Sequence, residues 1–203
     1  MKITDYNYSL YSLIASSVVL LIGDVLQITN HQNILWTICL AISFVLFVGG
    51  MPAINSFLSA SNQALRLLIN VFLLIGAIAG ASMQVFFRTR ILLENEKFTD
   101  AVTSLSNNPL MAFTTMVPGI FFPLGLILLS IALFIAGKIP KWKIVLLLLG
   151  AIAFPVGHAI GIIYALVLGD LLLLSAWIVI GAEKSTDEEK VTHDNNVYNS
   201  STS

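Results

Sequence analysis

Apolar residues run along this chain in long blocks separated by short polar breaks, and the length of the blocks is the first structural signal. A crossing of a ~30 Å hydrocarbon core takes about 17–25 predominantly apolar residues. Blocks close to that length lie at Ser9–Ile28, Ile34–Phe57, Leu65–Phe87, Pro109–Ala136, Lys143–Gly157 and Ile160–Ala182. Only Gly157, His158 and Ala159 join the last pair. A single helix of about 40 residues would be far too long for one crossing, and Pro155 with Gly157 supplies the break. The pattern therefore predicts an all-α polytopic integral membrane bundle of about six transmembrane helices over residues 1–182.

Between the third and fourth blocks, residues 88–108 form the only sizeable loop on their side. Ile91, Phe98, Val102 and Leu105 recur there at helical spacing, with Glu94, Glu96, Lys97 and Asp100 turned elsewhere. This predicts an amphipathic helix on the outer interface, stopped by Asn107, Asn108 and Pro109. Residues 183–203 are acidic, rich in Ser and Asn, and without apolar periodicity, so a disordered cytoplasmic tail is expected.

Composition strengthens the membrane reading. Of the 203 residues, 57% are hydrophobic and 10% are charged, and the mean hydropathy is +0.91. Soluble domains carry roughly 25% charged residues, so the lipid bilayer is the solvent this chain suits. A net charge of −1 and the lack of any basic stripe exclude a nucleic-acid partner. Cys39, the single cysteine, sits in an apolar run as a small core residue. No zinc-type cluster of cysteine and histidine is present, and no second intramembrane histidine could join His158 on a haem iron. No cofactor is therefore assigned.

Orientation follows from the lysines and arginines. Six crossings place Lys2, Arg66, Lys138, Lys141, Lys143, Lys184 and Lys190 on one face, against Arg88, Arg90 and Lys97 on the other. Both termini are expected in the cytoplasm of a multi-pass protein of the cell membrane.

Candidate chemistry gathers in the outer half. An ionisable residue within a crossing costs about 2.5–3.5 kcal/mol on insertion scales, so each one calls for a reason. Asp24, Asp170 and His158 are those residues, with Asp24 expected roughly 6–7 Å and Asp170 roughly 13 Å below the outer face. Ser17 and Gln27 share a helical stripe with Asp24. Ser82, Gln84, Thr114, Thr115 and Tyr164 add polar groups at similar depth, near helices interrupted by Pro118, Gly119, Pro123 and Pro155. Broken helices often line substrate sites in transporters. Leu21-Ile22-Gly23-Asp24-Val25-Leu26 also echoes Val167-Leu168-Gly169-Asp170-Leu171-Leu172 on a helix running the opposite way. The glycines of Gly76-x-x-x-Gly80, and Gly161, Ala165 and Gly169, are expected to let helices approach closely. Trp36, Trp142 and Tyr11 read as interfacial anchors.

Gly80-Ala81-Ser82 resembles part of the nucleophile motif of rhomboid proteases, and His158-x-x-Gly161 resembles the start of that family's histidine helix. The resemblance implies an intramembrane serine hydrolase using Ser82 and His158. Residue 83 is Met where that family has Gly, Ser82 ends an outward-running helix, and the oxyanion motif is absent, so no catalytic role is carried over.

These features lead to an outward-facing polar site that binds or transports a small-molecule solute, proton-coupled through Asp24 or Asp170, with Arg88 and His158 as expected partners. A non-catalytic subunit that meets another membrane protein through the third helix or the outer loop is the alternative. Reporter fusions at Lys97 and at the C-terminus should report opposite sides of the membrane, with the C-terminus inside. An external C-terminus would invert the placement of every polar residue named above.

Overall fold

A computed structural model describes residues 3–30, 34–58, 63–110, 113, 117, 119–160 and 164–182. Among these residues the protein is helical and contains no strand. The helices are α1 (Ile3–Thr29), α2 (Leu35–Phe57), α3 (Gln63–Asn95), α4 (Thr99–Ser106), α5 (Phe121–Ala136) and α6 (Lys141–Ile160), followed by α7 (Tyr164–Ala182). Residues Tyr6–Thr29, Leu35–Phe57, Gln63–Asn95 and Tyr164–Ala182 form four segments long and apolar enough to cross a membrane, and α5 is a shorter apolar helix.

Each of these long helices exposes apolar side chains and buries others, as a bundle in lipid must. Val45 on α2 is 67% exposed while Phe47 beside it is 3% exposed. In lipid, exposure of the first costs nothing, and burial of the second is driven by packing complementarity. Neighbours in the bundle follow the chain: α1 packs on α2, α2 on α3, α3 on α5, and α5 on α6. α7 closes the ring, touching α6 through Gly150 and Leu173 and α1 through Gly181 and Leu10. Phe122 of α5 fills the centre, edge-on to Phe44, Phe47 and Phe154, and Phe47 also meets Trp177 of α7.

Small residues set the closest approaches. A Cβ on Gly76 would run into the backbone of Phe122, so α3 and α5 meet backbone to backbone there. A Cβ on Gly157 would lie 2.6 Å from the Leu166 nitrogen, and one on Gly169 would lie 2.8 Å from the Phe154 nitrogen. Hydroxyls tie α1 to α2, where Ser12 donates to the Leu46 carbonyl at 2.6 Å and Ser16 to the Ser43 carbonyl at 2.9 Å. At the opposite end from the candidate site, Lys143 donates from Nζ to the Val179 carbonyl at 2.9 Å. That carbonyl belongs to the last turn of α7, where a cation also meets the negative end of the helix dipole.

The structure departs from the sequence pattern in two places. Residues Arg88–Asn95 continue α3 instead of joining an interfacial helix, giving a helix of 33 residues that is about 50 Å long at 1.5 Å per residue. Charge had ended the apolar block at Phe87, but Arg, Leu and Glu favour helix, and the Arg90–Glu94 ion pair at 2.7 Å spans one turn. The helix stops where Lys97 takes a left-handed conformation (φ 61°). Phe98 N–H bonds the Leu93 carbonyl at 2.9 Å and Lys97 N–H bonds the Glu94 carbonyl at 3.1 Å, a Schellman cap. Only Thr99–Ser106 then form a separate short helix. Trp36 is the second departure. It is 5% exposed and packs on Phe87 with ring centroids 5.9 Å apart, a buried α2–α3 contact and no interfacial anchor. Trp142 and Tyr11 are exposed, at 56% and 65%. The expected tail at 183–203 lies outside the described residues.

Replacing Gly76 by Ala should lower bundle stability by roughly 1–3 kcal/mol, because the methyl must displace backbone and not a mobile side chain. Gly119→Ala is the matched control, since a Cβ there meets nothing within 4 Å. Reversible unfolding in mixed micelles would compare the two, and equal stabilities would contradict the close α3–α5 approach.

Candidate functional site

The first and last helices each bring one aspartate into their contact. α1 and α7 run antiparallel, joined near one end by Leu10 and Gly181. Towards the other end, Asp24 and Asp170 are both 0% exposed. Their carboxyl groups are close enough to act on each other electrostatically. Asp24 stands five residues before the end of α1 and Asp170 six residues after the start of α7, so both sit little more than a turn from one end of the bundle.

Local sequence explains why both carboxyls point inward. Ser17 and Leu20 are buried on the face of α1 that carries Asp24, while Val18, Ile22 and Val25 are exposed. On α7, Leu166, Leu173 and Trp177 are buried at spacings of four, three and seven residues around Asp170, whereas Leu168 and Leu171 are exposed. Gly169, next to Asp170, packs on the Phe154 backbone, so α7 uses adjacent residues to meet α6 and α1.

A cavity of about 330 Å³ lies among α2, α3, α5 and α6, with Leu20 of α1 in its wall. Leu20 is one turn before Asp24, and Phe154, which packs on Gly169, lines the cavity as well. α5 begins only at Phe121, and Gly119 and Ile120 above it form part of the cavity wall. Pro123 lies in the first turn of α5, where no intrahelical N–H is required, and Pro155 interrupts the hydrogen bonding of α6 at the same level. Among the described residues the wall is otherwise apolar or glycine, apart from Gln84 of α3. Gln84 is 6% exposed, and its Oε1 meets no hydrogen-bonding partner among the described residues.

Two of the other expected site residues, Ser82 and Tyr164, face outward. Ser82 is exposed beside a groove lined by Ala41, Ile42 and Val45, and its hydroxyl donates to the Ile78 carbonyl at 2.9 Å within its own helix. Tyr164 is 86% exposed at the start of α7. Gln27 is half-buried near the end of α1, and Arg88 is exposed on α3. His158 lies on α6, with its side chain outside the described residues, as are Thr114, Thr115 and Pro118. Among the described residues no cluster of metal-ligating side chains occurs.

The cavity wall also includes residues that carried no polar signal in the sequence. Phe44, Phe122 and Phe154 look like ordinary members of apolar blocks, and only the meeting of α2, α5 and α6 assembles them. The proline and glycine breaks at 119, 123 and 155 were the available sign of a cavity there. Comparison of the chain with protein-family models, with curated proteins and with solved structures yields no match.

The juxtaposition of the carboxyls has a direct test. With Cys39→Ser as background, Asp24→Cys combined with Asp170→Cys should cross-link with a short bifunctional thiol reagent, because the two carboxyls act on each other across the α1–α7 contact. Ile22→Cys with Asp170→Cys should not, since Ile22 is 47% exposed on another face of α1. Cross-linking of the control pair alone would refute the helix facing described here.

Proposed function

We propose that this is an integral membrane protein that binds or transports a small solute in one half of its bundle, with Asp24 and Asp170 as its proton-bearing element. The observation that supports this reading best is the complete burial of both carboxyls against each other. Two carboxylates in contact within a low-dielectric interior repel strongly, and neither is solvated by water. A proton held between them replaces that repulsion by a charge-assisted hydrogen bond. Loss of the proton would press α1 and α7 apart, whereas a second proton would leave a neutral pair. Charge at this site is thereby coupled to the spacing of two helices, which is the physical requirement for proton-linked movement.

The cavity supplies the other half of the reading. Leu20, one turn before Asp24, lines it, as does Phe154, which packs on Gly169 beside Asp170. A shift of α1 or α7 would therefore be transmitted to the cavity wall through packed side chains. Metal-dependent and nucleophilic chemistry find no assembled site among the described residues, and Ser82 is turned towards the α2–α3 groove.

Asp24→Asn and Asp170→Asn test the proposal, because asparagine keeps the shape and hydrogen-bonding capacity of aspartate but cannot titrate. In proteoliposomes enclosing a pH-sensitive dye, solute-dependent proton movement across a panel of neutral and cationic solutes should be lost in each variant. Both variants should insert and remain monodisperse. Undiminished proton movement in either variant would leave the pair as a structural contact between the first and last helices.

A further inference from the structure

We infer that the cavity around Gln84 is the solute site, and that it takes a neutral, compact, ring-bearing alcohol or phenol whose hydroxyl donates to Gln84 Oε1. This rests on the reading of the bundle as a solute-binding protein and names the class of ligand. Three properties of the cavity select that class.

The first is charge and polarity. Gln84 is the one polar side chain among the described residues that line the cavity, and glutamine carries no charge. Its Oε1 is an acceptor buried away from water, and it faces no donor among the described residues. A buried acceptor is costly until a donor reaches it. Water is a poor occupant, since a stably buried water needs two to four polar partners. A molecule with one donor on an apolar body satisfies both the amide and the wall.

Shape is the second property. Phe44, Phe122 and Phe154 form part of the wall, and Phe122 meets the other two edge-on with centroids 5.3 Å and 6.0 Å away. Aromatic side chains favour offset or edge-to-face neighbours, so a flat ring extends an arrangement already present. A volume of about 330 Å³ stands at the lower end of the roughly 300–1,000 Å³ range of small-molecule sites. One or two fused rings fit that volume, and a long chain does not.

Access is the third. Gly119 and Ile120 line the cavity, and a Cβ built on Gly119 would meet nothing within 4 Å. Ile120 is 58% exposed, so the opening is rimmed by apolar surface rather than charge. Apolar ligands that partition into the bilayer reach such an opening laterally.

The matched probes 1-naphthol and naphthalene separate the hydroxyl from the ring. Binding to the full chain in lipid nanodiscs, measured by equilibrium dialysis against empty nanodiscs, removes the contribution of lipid partitioning. Saturable 1-naphthol binding is expected, roughly tenfold tighter than naphthalene, as one buried hydrogen bond provides. Gln84→Leu should abolish the difference between the probes while naphthalene binding persists. Gly119→Leu should exclude both by filling open space without displacing a neighbour. Gln84→Met repeats the first comparison with a more flexible side chain if the leucine variant does not fold.

Equal binding of the two probes by the unmodified protein would overturn the inference, as would 1-naphthol binding unaffected by either substitution. Proton movement lost in the Asp24→Asn variant while the unmodified protein fails to bind 1-naphthol would sink this ligand class alone. Intact 1-naphthol binding with proton movement independent of Asp24 and Asp170 would instead sink the proton-bearing role and leave the cavity assignment standing.

Discussion

Closure of the helix ring between α1 and α7 is the contact on which the arrangement of this bundle depends. Most neighbouring helices follow one another through short connections, but α3 and α5, separated by residues 96–120, and the first and last helices are brought together by side-chain complementarity. At one end that complementarity is steric, with Leu10 seated on Gly181. At the other it is the encounter of Asp24 and Asp170. Lipid supplies no hydrophobic drive for helix association, so such specific contacts determine the order of helices around the ring. The centre then fills as a consequence, with Trp177 of α7 reaching Phe47 and Phe47 reaching Phe122.

Much of this architecture was legible in the sequence because block length is a strong constraint. A helix must satisfy its own backbone in lipid, and that fixes how many apolar residues each crossing takes. The same constraint says nothing about where a helix ends once it leaves the membrane, which is why α3 runs through Arg88–Asn95 beyond its apolar block. Helix faces were harder to read. When nearly every position is apolar, alternation no longer marks the buried side, so Ser82 and Tyr164 could be placed at the right depth while facing outward. Trp36 was misjudged for a related reason. An indole near a helix end suits both an interface and a core, and its partner Phe87 lies on another helix, distant in sequence.

Asp24 and Asp170 illustrate how depth and facing combine. Their similar distance from one end of the bundle could be counted along the chain, but their contact requires that α1 and α7 be neighbours with matching rotation. Neither condition is encoded locally. The cavity is one step further removed, since its wall comes from α1, α2, α3, α5 and α6. Only Gln84 and the proline and glycine breaks marked it in advance.

The energetic cost of these polar groups bears on what they are for. A leucine at position 24 or 170 would pack the α1–α7 seam without desolvating a carboxyl, and replacing buried ionic groups by well-packed apolar ones is often neutral or stabilising. A leucine at position 84 would likewise remove a buried acceptor. Stability alone therefore selects none of the three polar side chains. At the seam, polarity also serves to pair α1 with α7, and under the proposed function it carries a titrating proton as well. In the cavity, Gln84 has a use under the proposed ligand class, from whose hydroxyl it would accept a hydrogen bond. Leu20, one turn before Asp24, and Phe154, packed on Gly169 beside Asp170, both line the cavity, and these are the contacts through which the two proposed roles would meet.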